Sequence, residues 1–107
     1  MNGKVMKVDD ASFDSLANRQ GLTLFDLWSP GCHPCHTLMP IVEDLAADFA
    51  NDAAFCKINV EAEILLRDRL GARSLPTLVL YRDGSEIDRL IGLRTRSQLT
   101  TWIEAHL

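Results

Sequence analysis

Two cysteines three positions apart, Cys32 and Cys35, are the residues best placed to do chemistry. Thiols at this spacing can close a small disulfide ring, hold a metal, or be ordinary small core residues. Their setting separates these uses. The pair follows a nearly continuous apolar run, LTLFDLW at residues 22–28. It opens a stretch, residues 34–50, in which Leu38, Ile41, Val42, Leu45, Ala46 and Phe49 recur at helical spacing. A strand-to-helix turn puts Cys32 at a helix N-terminus, where unpaired amide donors and the positive end of the macrodipole stabilise a thiolate. Cys32 is therefore expected to be the exposed nucleophile, and Cys35, one turn inside, the buried resolving thiol. Pro34 suits the first helical turn, where no donor is lost.

Neighbouring residues extend the redox reading. Asp26 interrupts the apolar run, where an unpaired carboxylate is expensive to bury. A carboxyl kept there is expected to have a raised pKa and a task, such as taking the proton from Cys35 through a water. Lys57, in the next strand-like segment, is the cation expected to face it. His33 brings an imidazole close to Cys32; when protonated it favours the thiolate, stabilises the reduced form and makes the disulfide more oxidising. The third cysteine, Cys56, lies in a buried-strand pattern and reads as a small hydrophobe without a role.

These residues need a scaffold, and the chain supplies an alternation of strand and helix signals. Val5, Met6 and Val8 suggest a short edge strand. Residues 12–18 read as a short helix with Phe13, Leu16 and Ala17 on one face, stopped by Gly21. The run at 22–28 suits a strand buried on both faces. The long helix contains Pro40, which should kink it. Residues 54–60 form a third strand, and 61–70 a helix closed by Gly71. Residues 77–81 and 86–91 flank Asp83-Gly84, a hairpin signal. Thr95 with Gln98 makes a capping box that opens a last helix, with Leu99, Trp102, Ile103 and Leu107 expected to face the core. The order is βαβαβαββα. Crossover helices force the first strands parallel and the tight turn forces the last pair antiparallel, giving an α/β mixed sheet.

The 107 residues amount to one domain, expected to span residues 1–107. A hydrophobic fraction of 47% with 24% charged residues excludes a disordered tail or a collagen-like repeat. A net charge of −4 argues against nucleic-acid or anionic-membrane binding. Charge sign shifts along the chain: residues 1–56 hold three Lys/Arg against eight Asp/Glu, and 57–107 hold eight against seven. No signal-peptide core or membrane span is visible, so a cytoplasmic, reducing location is expected.

Taken together, the sequence resembles the thioredoxin family over essentially its whole length. The residues that carry the resemblance are Phe25-Asp26-Leu27-Trp28, Cys32-His33-Pro34-Cys35, Pro40, Lys57, Leu75-Pro76-Thr77, Asp83-Gly84 and Gly92. The resemblance implies a thioredoxin fold, a central mixed five-stranded sheet flanked by four helices. It implies a redox-active Cys32–Cys35 disulfide and a cis Pro76 packed beside it. It also implies a shallow groove for an extended substrate segment, formed by Trp28, Gly31, Leu75, Pro76 and Gly92. The implied activity is protein-disulfide reduction by a monomer, without cofactor or metal, with an NADPH-dependent thioredoxin reductase as candidate electron donor. Cys32 attacks the substrate disulfide, and Cys35, deprotonated with help from Asp26 and Lys57, resolves the mixed disulfide.

The sequence departs from the family at one place. Typical members read Trp-Cys-Gly-Pro-Cys-Lys where this chain has Gly31-Cys32-His33-Pro34-Cys35-His36. Loss of the tryptophan should leave the sulfur more exposed, and His33 should move the potential to the oxidising side of thioredoxin. Arg73, Arg94 and Arg96 are expected to rim the groove and favour acidic partners. Other readings remain: an adaptor or chaperone without redox turnover, and a c-type haem site, since Cys32 to His36 also spells C-x-x-C-H with His36 as axial ligand. Zinc is disfavoured because all four potential ligands crowd onto five residues.

Overall fold

A computed structural model describes residues 4–107. The order is β1 (Met6–Lys7), α1 (Phe13–Ala17), β2 (Leu22–Trp28), α2 (His33–Asp48), β3 (Ala53–Asn59), α3 (Ile64–Leu70), β4 (Thr77–Arg82), β5 (Ser85–Ile91) and α4 (Arg96–Glu104). The five strands form one mixed sheet in the order β1-β3-β2-β4-β5. β3 pairs in parallel with β1 and β2, while β4 runs antiparallel to β2 and to β5. This is the βαβαβαββα arrangement expected from the sequence.

Strand β2 lies at the centre because both of its faces are apolar. Leu22 and Leu24 pack with Leu38, Val42 and Leu45 of α2 and with Leu99 and Ile103 of α4. Phe25 and Leu27 point the other way, against Phe13 of α1 and Leu66 and Leu70 of α3. The two-residue periodicity of a strand therefore assigns each β2 side chain to a layer. Asp26 shares the α2 face with Leu22 and Leu24.

Local chemistry fixes the element ends. Thr95 Oγ1 accepts the Gln98 N–H at 3.1 Å, and Gln98 Oε1 accepts the Thr95 N–H at 2.9 Å, closing the capping box. Asp83 and Gly84 take φ of 51° and 93°, the left-handed pair that a two-residue hairpin turn requires. α2 continues through Pro40. Two expectations need correction. Residues 61 and 62 lie in a turn and Glu63 is the N-cap of α3, rather than forming its first turn, because Asn59 Oδ1 captures the Glu61 N–H at 3.0 Å. Leu107 is 59% exposed and lies beyond the end of α4, so it does not face the core.

Candidate active site

Register brings three separate chain segments to one end of the sheet. β2 ends at Trp28, and its neighbour Leu27 pairs with Thr77, the first residue of β4. Thr77 pairs in turn with Ile91, the last residue of β5. Pro76 and Gly92 therefore flank the strand end from which residues 29–32 lead into α2. The Leu75–Pro76 peptide is cis. The Gly92 N–H donates to the Pro76 carbonyl at 2.8 Å, tying the end of β5 to that turn. Gly92 has φ of 97°, a conformation that suits glycine. Thr77 Oγ1 donates to the Ser74 carbonyl at 2.6 Å, bracing the same turn from the other side.

Cys32 is the N-cap of α2, in extended conformation, and its sulfur accepts the Cys35 N–H at 3.3 Å. Pro34 occupies the first turn, where its missing donor costs nothing. Cys32 and Cys35 are joined as a disulfide with Cα atoms 5.3 Å apart. Cys32 is partly exposed, whereas Cys35 is fully buried. His33 is exposed. Gly31 is exposed too, and a Cβ there would meet no atom within 4 Å.

Asp26 is fully buried, and neither carboxylate oxygen has a hydrogen-bond partner among the described residues. Burial pushes its pKa up to about 7, a rise that the Lys57 charge partly offsets. Lys57 is the register partner of Asp26 across the β2–β3 pair, as its strand position suggested. Cys56 alternates to the opposite face and is buried against Phe25 and Ile58. Burial raises its thiol to about 11, the behaviour of an inert core residue.

The arginine rim is smaller than the sequence suggests. Arg96 bonds Asp48 at 2.7 Å and Asp44 at 3.6 Å on the distal half of α2, so it does not reach the disulfide. Arg94 folds back beside Gly92 and donates to the Ile91 carbonyl at 3.0 Å. Sequence reasoning also missed His36, whose Nε2 lies 2.8 Å from the Pro30 carbonyl and whose ring meets the edge of Trp28. The only signal for it was its place in C-x-x-C-H, which read as a haem ligand.

A family model described as Thioredoxin matches residues 4–105. The chain belongs to the thioredoxin family. A thioredoxin of Staphylococcus aureus is 33% identical over 103 residues, covering 96% of this chain and 98% of that protein. Among solved structures, a point-mutant thioredoxin from Halobacterium salinarum aligns with a TM-score of 0.87 at 33% identity, covering 95% of this chain and 89% of that one. A Malassezia sympodialis thioredoxin aligns with a TM-score of 0.89 at 24% identity, covering 97% and 91%, a likeness of fold. With its cysteine pair joined at the head of α2, this member of the thioredoxin family is a thiol–disulfide oxidoreductase that reduces protein disulfides. The haem and adaptor readings are not favoured. No helix among the described residues is long and apolar enough to cross a membrane.

Proposed function

We propose that Cys32 is the nucleophile and Cys35 the resolving thiol of a dithiol reductase. The observation that carries this reading is the difference in access: Cys32 is partly exposed and Cys35 is fully buried. The Cys32 thiolate, held by the Cys35 N–H and the N-terminus of α2, attacks one sulfur of a substrate disulfide. A mixed disulfide forms and the other substrate sulfur leaves as a thiolate. Asp26, which ionises at about pH 7, takes the Cys35 proton through a water when in its carboxylate form. The Cys35 thiolate then attacks Cys32, restores the internal disulfide and expels the second substrate thiolate. The substrate has gained two electrons and, once its thiolates protonate, two protons. Lys57 keeps the Asp26 carboxylate accessible near pH 7 by opposing the burial effect.

Trp28, Gly31, Leu75, Pro76 and Gly92 form the substrate groove in this reading, with the Gly92 N–H to Pro76 carbonyl bond supporting its shape. A separate cleft of about 330 Å³ lies between α2 and α4, lined by Thr37, Ile41, Leu93, Arg94, Thr95 and Gln98. Residues 29–42, 72–79 and 89–98 contain no Asp or Glu. Arg73 and Arg94 then bias the site towards acidic substrates, with Arg96 engaged elsewhere. His33 shifts the couple to the oxidising side of the roughly −270 mV of thioredoxin. The protein acts as a cytoplasmic monomer, re-reduced by an NADPH-dependent thioredoxin reductase.

The test is insulin reduction by wild type, Cys32→Ser and Cys35→Ser, with either dithiothreitol or NADPH and reductase as donor. Both variants are expected to lose turnover. Turnover independent of both cysteines contradicts the mechanism, and turnover with dithiothreitol alone contradicts the reductase assignment.

A further inference from the structure

The turn that delivers Cys32 to α2 is poorly fastened by its own residues. Ser29, Pro30 and Gly31 form a bend closed by the Cys32 N–H to the Ser29 carbonyl at 3.2 Å. Pro30 has no N–H to donate. Gly31 has no side chain, and among the described residues nothing beyond its chain neighbours lies within 4 Å of where one would begin. A glycine with open space where a side chain would begin leaves the chain many backbone states just before the reactive sulfur. Among the described residues, the His36 side chain crosses this gap. His36, one turn inside α2, lies with Nε2 2.8 Å from the Pro30 carbonyl oxygen. A carbonyl only accepts, so this geometry places the proton on Nε2. The ring is steadied from the other side by the Trp28 indole, with centroids 6.1 Å apart at 71°.

We infer that His36 is a positioning residue for Cys32, latching the Pro30 carbonyl so that the Cys32 sulfur stays over the first turn of α2. The sulfur accepts the Cys35 N–H at 3.3 Å, a contact that stabilises a thiolate only while the turn holds the sulfur there. Releasing the latch spreads the turn over glycine-permitted conformations and lowers the thiolate fraction. The reduced state is then less favoured, and the disulfide becomes harder to reduce. His36 thus acts on Cys32 through backbone position, whereas exposed His33 acts through charge. The inference rests on the reading of Cys32 as nucleophile.

The experiment compares wild type with His36→Ala and His36→Gln. Glutamine keeps an N–H donor within reach of Pro30 and carries no charge. Readouts are the iodoacetamide alkylation rate of Cys32 against pH in the reduced protein, and the reduction potential against glutathione. His36→Ala is expected to alkylate several-fold more slowly at neutral pH. Its potential should fall by up to about 30 mV, the equivalent of a tenfold change for a two-electron couple. His36→Gln should recover most of both effects. Wild-type values in His36→Ala overturn the latch. Equal loss in His36→Ala and His36→Gln also overturns it, because the imidazolium charge would then be the active element. Failure of wild-type Cys32 to alkylate ahead of Cys35 is a separate result and overturns the nucleophile assignment itself.

Discussion

Replacing Asp26 with asparagine removes an ionisable group from the interior and leaves its shape nearly intact. Asp26 is fully buried without a hydrogen-bond partner among the described residues, and its pKa is raised from 3.8 to about 7. In the unfolded chain the carboxyl ionises near its ordinary value; in the folded chain it holds its proton until pH approaches 7. Between those values the native state binds more protons than the unfolded state, so stability falls as pH rises. A rise of about three pH units, at roughly 1.36 kcal/mol each, corresponds to about 4 kcal/mol, nearly all of it lost by neutral pH. The Asp26→Asn variant carries the same polar burial but no such slope. Urea unfolding of the oxidised proteins should therefore give similar stabilities at pH 4. At pH 7.5 the variant should be more stable by about 4 kcal/mol, a midpoint shift of about 2 M. The same variant should turn over insulin more slowly at pH 7, by about 10²-fold if proton removal from Cys35 is its task. A stability difference that does not change with pH refutes the assignment of a buried, titrating carboxyl.

Two glycines beside the disulfide should respond oppositely to alanine. Gly31→Ala meets no neighbour and should gain about 0.4–1 kcal/mol in urea unfolding, by restricting the unfolded chain. Gly92→Ala is forced to a φ of +97° with Arg94 Nη1 3.3 Å from the new Cβ, and should lose about 1–3 kcal/mol. Cys56, buried with a thiol raised to about 11, should remain unmodified when the folded, reduced protein is treated with iodoacetamide at pH 7; mass-spectrometric labelling there contradicts its placement. Trp102 Nε1 donates to Asp88 Oδ2 at 2.9 Å and holds that carboxyl below its ordinary range. Stability from this bond is present above the unfolded carboxyl pKa and fades as pH falls through the folded one. Trp102→Phe should cost about 1 kcal/mol at pH 7 and less at pH 3 by thermal or urea unfolding.

Local patterns were the legible part of this chain. Cys32 at a strand-to-helix boundary, the Asp83-Gly84 turn and the Thr95–Gln98 capping box each declare themselves within four residues, because each is a short-range backbone requirement. Asp26 stood out for a related reason, as a charge in an apolar run. Its layer did not, since the side of the sheet it faces follows from how Leu22 and Leu24 pack beneath α2. The antiparallel entry of β4 beside β2 was equally hidden: α3 returns the chain to the sheet, but nothing in residues 71–76 states the direction. Arg96 was misplaced because its partners, Asp44 and Asp48, lie about fifty positions earlier and are chosen by the docking of α4 on α2. His36 was read through a motif for another chemistry. Its contact with Pro30 depends on the curl of residues 29–32, which spacing alone does not describe.

The central claim is that exchange begins at Cys32 and ends at Cys35. It is tested most directly by incubating reduced Cys35→Ser and Cys32→Ser proteins with a disulfide-containing protein and resolving the products on a non-reducing gel. Cys35→Ser should accumulate a covalent mixed disulfide through Cys32 that dithiothreitol releases, and Cys32→Ser should form none. A stable adduct on Cys32→Ser, or none on Cys35→Ser, contradicts the account.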